Sequence, residues 1–427
     1  MTVDGRRRGA SLARGGVLLG VASVLANALG YGLTVVFARG FGPAEYGAIG
    51  TLLGAGLIGA IPAGGLQYVL ARGTAVRRLG PGWNEPAGLR LSAAVGAALA
   101  VLAVALAPAA AGFFHLGSAW PVVWLGVMLV PFTVSGALLG SLLGHERYAA
   151  FAVAQVALAL GRFCAGLLSG LAGFSVAGAM AALALGTLVT CGLVFWLSGP
   201  SSWRQPGTVR AGALFGDLAR SCSAIAGIVV LSNLDLLLAR HYLPREVSGR
   251  YALASLFAKV CLWGAQFVPT VVFTRLARGG HQRGLLLRAA LVTAAVGGCC
   301  VLVAAVAGGP VIETVSGGNE QYAGAARLVV PFAVLGTLWA LVQLALLAAV
   351  AAGDPGPGRL LWLVAAGEAA AIAFGPHQSP GSILTVCLVA TGLLVVGGVA
   401  LDLRRGPAAG QPVPGSPLVT DEVHAGR

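Results

Sequence analysis

The chain has 427 residues, 57% of them hydrophobic and only 10% charged, with a formal net charge of +13 at pH 7 and a mean hydropathy of +0.88. Soluble domains carry about 25% charged residues, so this composition excludes a soluble globular fold and indicates an integral membrane protein. A charge of +13 on a soluble chain would suggest nucleic acid; here the arginines cluster between long apolar runs, so they are assigned to the cytosol and anionic headgroups, with no nucleic-acid partner.

Residues 1–14 place Arg6, Arg7, Arg8 and Arg14 ahead of an apolar run over 16–38. A secretory signal also begins this way, and Ala26-Asn27-Ala28 resembles a cleavage site. The run is longer than the ~7–15 residues of a signal core, so it reads as a first transmembrane helix. Further runs follow at 47–70, 87–111, 121–143, 149–171, 176–197, 213–239, 249–273, 285–308, 325–351, 360–374 and 382–401. Each comes near the ~20 residues that a spanning helix needs; the eleventh is the shortest. Pro62 and Pro269 are placed to bend spans two and eight. Gly47, Gly50, Gly54, Gly56 and Gly59 give span two a small-residue surface for close helix contact.

The runs fall into two similar halves. Phe37-Ala38-Arg39-Gly40-Phe41-Gly42-Pro43-Ala44-Glu45-Tyr46-Gly47 returns as Leu238-Ala239-Arg240-His241-Tyr242-Leu243-Pro244-Arg245-Glu246-Val247-Ser248-Gly249, with Arg39 and Arg240 201 positions apart. Residues 130–138 match residues 330–338 at six of nine positions, an offset of 200. A looser third pair ends in Arg72 and Arg278. Ordered matches of this kind argue for a duplicated unit. The expected organisation is a cytoplasmic basic N-terminus (1–15), an N-lobe of six helices (16–197), a cytoplasmic linker (198–212), a C-lobe of six helices (213–402) and a disordered cytoplasmic tail (403–427). With the N-terminus inside, the outer segments hold only Arg39, Arg240, Arg245, Arg250 and Arg327, and the remaining segment arginines lie inside, as the positive-inside rule requires. An even helix count puts both termini inside and makes the halves parallel repeats. The fold class is therefore all-α, with about 12 transmembrane helices in two parallel six-helix repeats.

Ionisable groups inside spans are costly and normally face a cavity or a partner. On the first helix Ser23, Asn27, Tyr31 and Thr34 share one face. On the fifth, Gln155, Arg162 and Ser169 recur at seven; on the eighth, Ser255, Lys259, Trp263 and Gln266 share a face. Asp235 lies near the outer end of the seventh span and Glu368 within the eleventh. Each has a plainer reading. The first-helix stripe can simply bond neighbouring helices. Arg162 can neutralise a carboxylate or carbonyls, and Lys259 can pair with Asp235. Asp235 can cap structure near Arg39 or Arg240, and Glu368 can face lipid or the interface in protonated form. The functional reading makes Arg162, Lys259, Asn27, Tyr31, Gln155 and Gln266 a cavity for an anionic substrate. Asp235, with the motif arginines Arg39 and Arg240, is then assigned to coupling or gating. All seven cysteines lie in apolar runs without metal-ligand spacing; no metal, cofactor or catalytic residue is expected.

The stretch Ala38-Arg39-x-x-Gly42-Pro43-x-x-Tyr46-Gly47, with its following run closing in Gly65-Leu66-Gln67 to Ala71-Arg72, resembles the polysaccharide flippases of the multidrug/oligosaccharidyl-lipid/polysaccharide exporter superfamily. Asn233-Leu234-Asp235 through Arg240, and then residues 249–278, are similar to that family's seventh and eighth helices. The likeness runs through most of the chain up to Ala351. It implies two six-helix lobes around a central cavity, alternating access in the cytoplasmic membrane, and a cargo of oligosaccharide on polyprenyl pyrophosphate. It also implies membrane lipids as partners and polysaccharide polymerase or glycosyltransferases as neighbours. The longer lipid II flippases have a thirteenth and fourteenth helix, absent here, which argues against lipid II itself. A cation-coupled multidrug antiporter of the same superfamily is the alternative. A major facilitator is disfavoured because Ala71 to Gly80 lacks Gly-x-x-x-Asp-Arg-x-Gly-Arg, and an ATP-driven pump because Lys259 lies in no phosphate-loop context. The first outer loop has only Glu45 as an acid, too little for a membrane glycosyltransferase.

The charge asymmetry predicts that reporter tags placed after Arg427 and within 198–212 report the cytoplasmic side, and that a tag at Gly117 reports the outside. Linker and C-terminus on opposite faces would refute two parallel halves.

Overall fold

The computed structural model describes residues 3–76, 85–199, 211–265, 283–351, 354 and 356–404. Gln266, Pro269, most of the linker and residues 405–427 of the tail lie outside these residues. The described chain is built of α-helices and one short 3-10 turn, Glu320–Ala325. In order, the helices are α1 (Val3–Gly40), α2 (Pro43–Gly59), α3 (Ile61–Val76), α4 (Glu85–Phe113), α5 (Trp120–Gly144), α6 (Tyr148–Leu171), α7 (Val176–Ser198), α8 (Ala211–Tyr242) and α9 (Arg245–Gly264). After these come α10 (Arg283–Ser316), α11 (Ala326–Ala351), α12 (Gly356–Phe374) and α13 (Pro380–Arg404).

Helices α2 and α3 are two pieces of one span of 32 residues, Pro43–Thr74. The break at Ala60 follows from Pro62, which has no N–H to offer the carbonyl of Ile58 and whose ring crowds it. Among the described residues, ten segments are long and apolar enough to cross a membrane. Helices α8 and α9 have 32 and 20 residues, enough length, but carry more charged and polar side chains. The protein is a multi-pass helical membrane protein. At 1.5 Å per residue, the 19 residues of α12 extend about 28 Å, close to a hydrocarbon core of about 30 Å. The short eleventh run is thus a full-length helix. The Ala26-Asn27-Ala28 site lies mid-way along the unbroken α1.

Within the first half, α5 is the hub, packing on α3, α4 and α7, while α1 lies along α6. Within the second half, α11 packs on α9, α10 and α13, and α12 covers α8. The halves meet where α2 packs on α8 and α9, and where α3 packs on α8. Glycines set the closest approaches. Gly136, Gly140 and Gly144, four residues apart on α5, face the α3 backbone; a Cβ on Gly140 would strike the Gln67 carbonyl oxygen. Gly336, 200 positions after Gly136, lies likewise against the Ala258 carbonyl of α9. The same small-residue packing device therefore serves both halves.

In an open helical site, Gly→Ala gains up to about 1 kcal/mol of propensity. Gly112, with nothing near its absent Cβ, should accept alanine with an unchanged or higher melting temperature. Gly140→Ala should instead destabilise by about 1–3 kcal/mol, because backbone cannot move aside cheaply. Thermal unfolding of purified variants checks both, and equal midpoints would refute the packing account.

Candidate functional site

A cavity of about 310 Å³ lies between the halves, lined from α1, α2, α5, α6, α7, α8 and α9. From the α1 stripe, Asn27, Tyr31 and Thr34 line it. Ser23, one turn earlier, instead accepts a hydrogen bond from Gln155 Nε2 at 3.3 Å. Gln155 therefore bonds α6 to α1 and is not among the lining residues, so the structure does not bring it into the cavity. Ser169 is also buried elsewhere, donating to the Gly166 carbonyl.

Both span cations reach the cavity. Arg162, on α6, donates through Nε to the Leu158 carbonyl at 3.2 Å, and its guanidinium carbon stands 5.0 Å from the centre of the Phe132 ring. The backbone bond and the aromatic face hold the fork in place. Its two Nη groups find no acceptor among the described residues and remain for a ligand. Lys259, on α9, donates to Asn233 Oδ1 at 3.0 Å. Asn233 is itself fixed by donating to the Val229 carbonyl at 2.8 Å. Gly54 leaves room for this arrangement, since a Cβ there would stand 3.2 Å from Asn233 Oδ1. Lys259 thus gives its hydrogen bond to Asn233 rather than forming the expected alternative pair with Asp235. Asn233 is a site residue that sequence reasoning passed over, although it precedes Asp235 by two positions in the quoted motif. Tyr31, Phe132 and Trp263 add aromatic surface to the same space.

Asp235 does not line the cavity. It is 1% exposed; its Oδ2 accepts from the Tyr251 hydroxyl of α9 at 3.1 Å and Oδ1 has no partner. It caps nothing at Arg39 or Arg240. Glu368, on α12, is 2% exposed, which overturns the reading that it faces lipid or the interface. Cys387 on α13 lies beside Glu368, but neither carboxylate oxygen has a hydrogen bond. The two carboxyl groups are near enough to interact electrostatically, and Tyr251 and Cys387 lie close to both. The buried Thr391 hydroxyl on α13 is also unpaired. Orphaned oxygens are rare in buried protein and mark places where water, a proton or a cation is accommodated. Arg39 and Arg240 stand apart from both groups, at the ends of α1 and α8.

No protein-family profile matches this chain, and no curated protein matches its sequence. Solved structures do match its fold. The inward-facing structure of a multidrug resistance MATE family transporter of the MOP superfamily aligns over 90% of this chain and 96% of its own, with TM-score 0.66 and 14% identity. The lipid II flippase MurJ, in an inward closed conformation, aligns over 91% of this chain and 87% of its own, with TM-score 0.69 and 11% identity. A MOP superfamily transporter from Pyrococcus furiosus, reported with a reversed polarity of its binding pocket, aligns over 92% and 95%, with TM-score 0.60 and 14% identity. The chain has the fold of MOP-superfamily transporters.

The Lys259–Asn233 bond makes a stability prediction. Asn233→Leu strands the ammonium and should cost about 1–3 kcal/mol. Adding Lys259→Met removes the stranded charge and should recover most of the loss. If Asn233→Leu melts like the parent, or the double variant melts no higher than the single, the pairing has no energetic weight.

Proposed function

We propose that the protein flips a polyprenyl-pyrophosphate-linked oligosaccharide, a polysaccharide precursor, across the cytoplasmic membrane by alternating access. One observation carries the reading: Arg162 and Lys259, contributed by different halves, face one cavity between them. An isolated cation mid-membrane costs about 2.5–3.5 kcal/mol on insertion scales, so two of them at a shared opening favour an anion as the occupant. A pyrophosphate accepts charge-assisted hydrogen bonds from both, bidentately from the free arginine fork. Asn27, Thr34 and Ser255 offer hydrogen bonds, and the aromatic side chains offer ring faces, to the first sugar. On this reading 16–197 and 213–402 are the moving lobes, both termini are cytoplasmic, and membrane lipids flank the cargo's polyprenyl chain. Polysaccharide polymerase or glycosyltransferases would supply and consume the cargo.

A cation-coupled multidrug antiporter is the second reading, and the fold is equally compatible with it. The cavity argues against cationic drugs, because its charged lining residues are both positive. The buried Asp235 and Glu368 do favour coupling to a proton or a small cation, and this applies to either cargo. Neither acid lines the cavity, so neither directly meets the pyrophosphate it would repel.

Transport of a fluorescent polyprenyl-pyrophosphate glycan in proteoliposomes, normalised to folded protein, tests the proposal. Arg162→Ala and Lys259→Ala should each reduce flipping at least about tenfold, the loss of one charge-assisted contact, while Lys259→Arg retains part of it. Asp235→Asn should slow transport yet leave cargo binding intact. Full activity of a well-folded Arg162→Ala, Lys259→Ala double variant would remove the pyrophosphate site.

A further inference from the structure

At the face where α1 and α8 end, two arginine bonds cross between the halves. Arg39, closing α1, donates through Nη2 to the Thr314 carbonyl in the last turns of α10 at 2.7 Å. Arg240, closing α8, donates through Nε to the Phe114 carbonyl just beyond α4 at 2.9 Å. The arginines are 201 positions apart and their acceptors 200 apart. Each half's first-span arginine therefore holds the carbonyl that closes the third span of the other half. The repeat predicts equivalent arginines; the exchange of partners is a property of the assembled pair.

The two bonds are unequal. Arg240 is 3% exposed, and its Nη1 also reaches the Ala44 carbonyl at 3.0 Å, Ser248 Oγ at 3.0 Å and the Arg245 carbonyl at 3.3 Å. Its guanidinium sits at the crossing of α2 and α9, bonded to both. Pulling it free would strand several buried polar groups, each at a desolvation cost. Arg39 is exposed and makes one such bond, its stem lying against Gly317, which adopts φ +67°. When that bond opens, both groups return to water at little cost. The neighbouring tie, the Tyr322 hydroxyl donating to the Phe41 carbonyl at 3.0 Å, is buried and belongs with the costly contacts.

We propose that these crossed arginines lock the arginine-poor face, with Arg240 as the hinge about which the halves turn and Arg39 as the latch that lets go. The inference rests on the alternating-access reading above, but its test uses no cargo. In a cysteine-free background, Thr34→Cys reports access to the cavity. A membrane-impermeant maleimide is applied to each side of oriented vesicles. Arg39→Ala should raise labelling from the arginine-poor face by about fivefold or more, the population shift of one lost hydrogen bond. Melting of the folded variant should change little. Arg240→Ala should instead lower the melting temperature markedly. Unchanged labelling in the latch variant overturns the proposal. So does a stable Arg240→Ala protein that labels faster than the latch variant. A chain that shows the latch yet moves no glycan lipid would refute only the cargo assignment.

Discussion

The structure depends on one close approach. At the crossing of α2 and α9, a Cβ on Gly249 would collide with the Pro43 carbonyl, and one on Gly47 would stand 2.9 Å from the Gly249 Cα. Backbone meets backbone, so the halves approach closely here. From this point α2 and α9 frame the two sides of the cavity. Any side chain at either glycine would separate the halves and displace the Arg240 cluster bonded at the same crossing. The motif Pro four residues after the arginine, followed by Gly, is what begins both helices in the right place: Pro43 opens α2 at its first turn and Pro244 immediately precedes α9.

Beneath the crossing, α8 and α9 hold two kinds of charge. Asn233 of α8 accepts from the cavity-lining Lys259, while Asp235, two residues on, accepts from Tyr251, also on α9. In a low-dielectric interior neither charge is indifferent to the other, and Lys259 and Asp235 are near enough to interact electrostatically. A change of charge at Asp235 or Glu368 would therefore be felt at the cavity-lining ammonium without direct contact. Asn233 and Asp235, two residues apart, tie the cavity and the buried acids to one helix.

The halves share a plan but not a chemistry. Gly136 and Gly336 do the same packing work at equivalent positions. The cations, by contrast, come from non-equivalent spans, the fifth and the eighth, and the buried acids belong to the second half alone among the described residues. The motif arginines are equivalent in position and unequal in burial.

Composition and hydropathy alone determined the membrane class and the helical architecture, because a bilayer leaves helices as nearly the only way to satisfy backbone groups along an apolar run. The repeat offset also made the pairing of Arg39 with Arg240 legible, and helical periodicity put Asn27, Tyr31 and Thr34 on one face. Periodicity assigned a face; it did not say what that face meets. Gln155 has the right spacing but turns to Ser23, and Glu368, in the weakest run, is buried in the protein interior. Asn233 was passed over because an asparagine in a span gives no signal until a lysine 26 positions later is folded against it. Which arginine reaches which carbonyl was likewise decided only by the assembled halves. Those contacts join residues 126 and 275 positions apart, and no local rule of propensity or spacing acts over such separations.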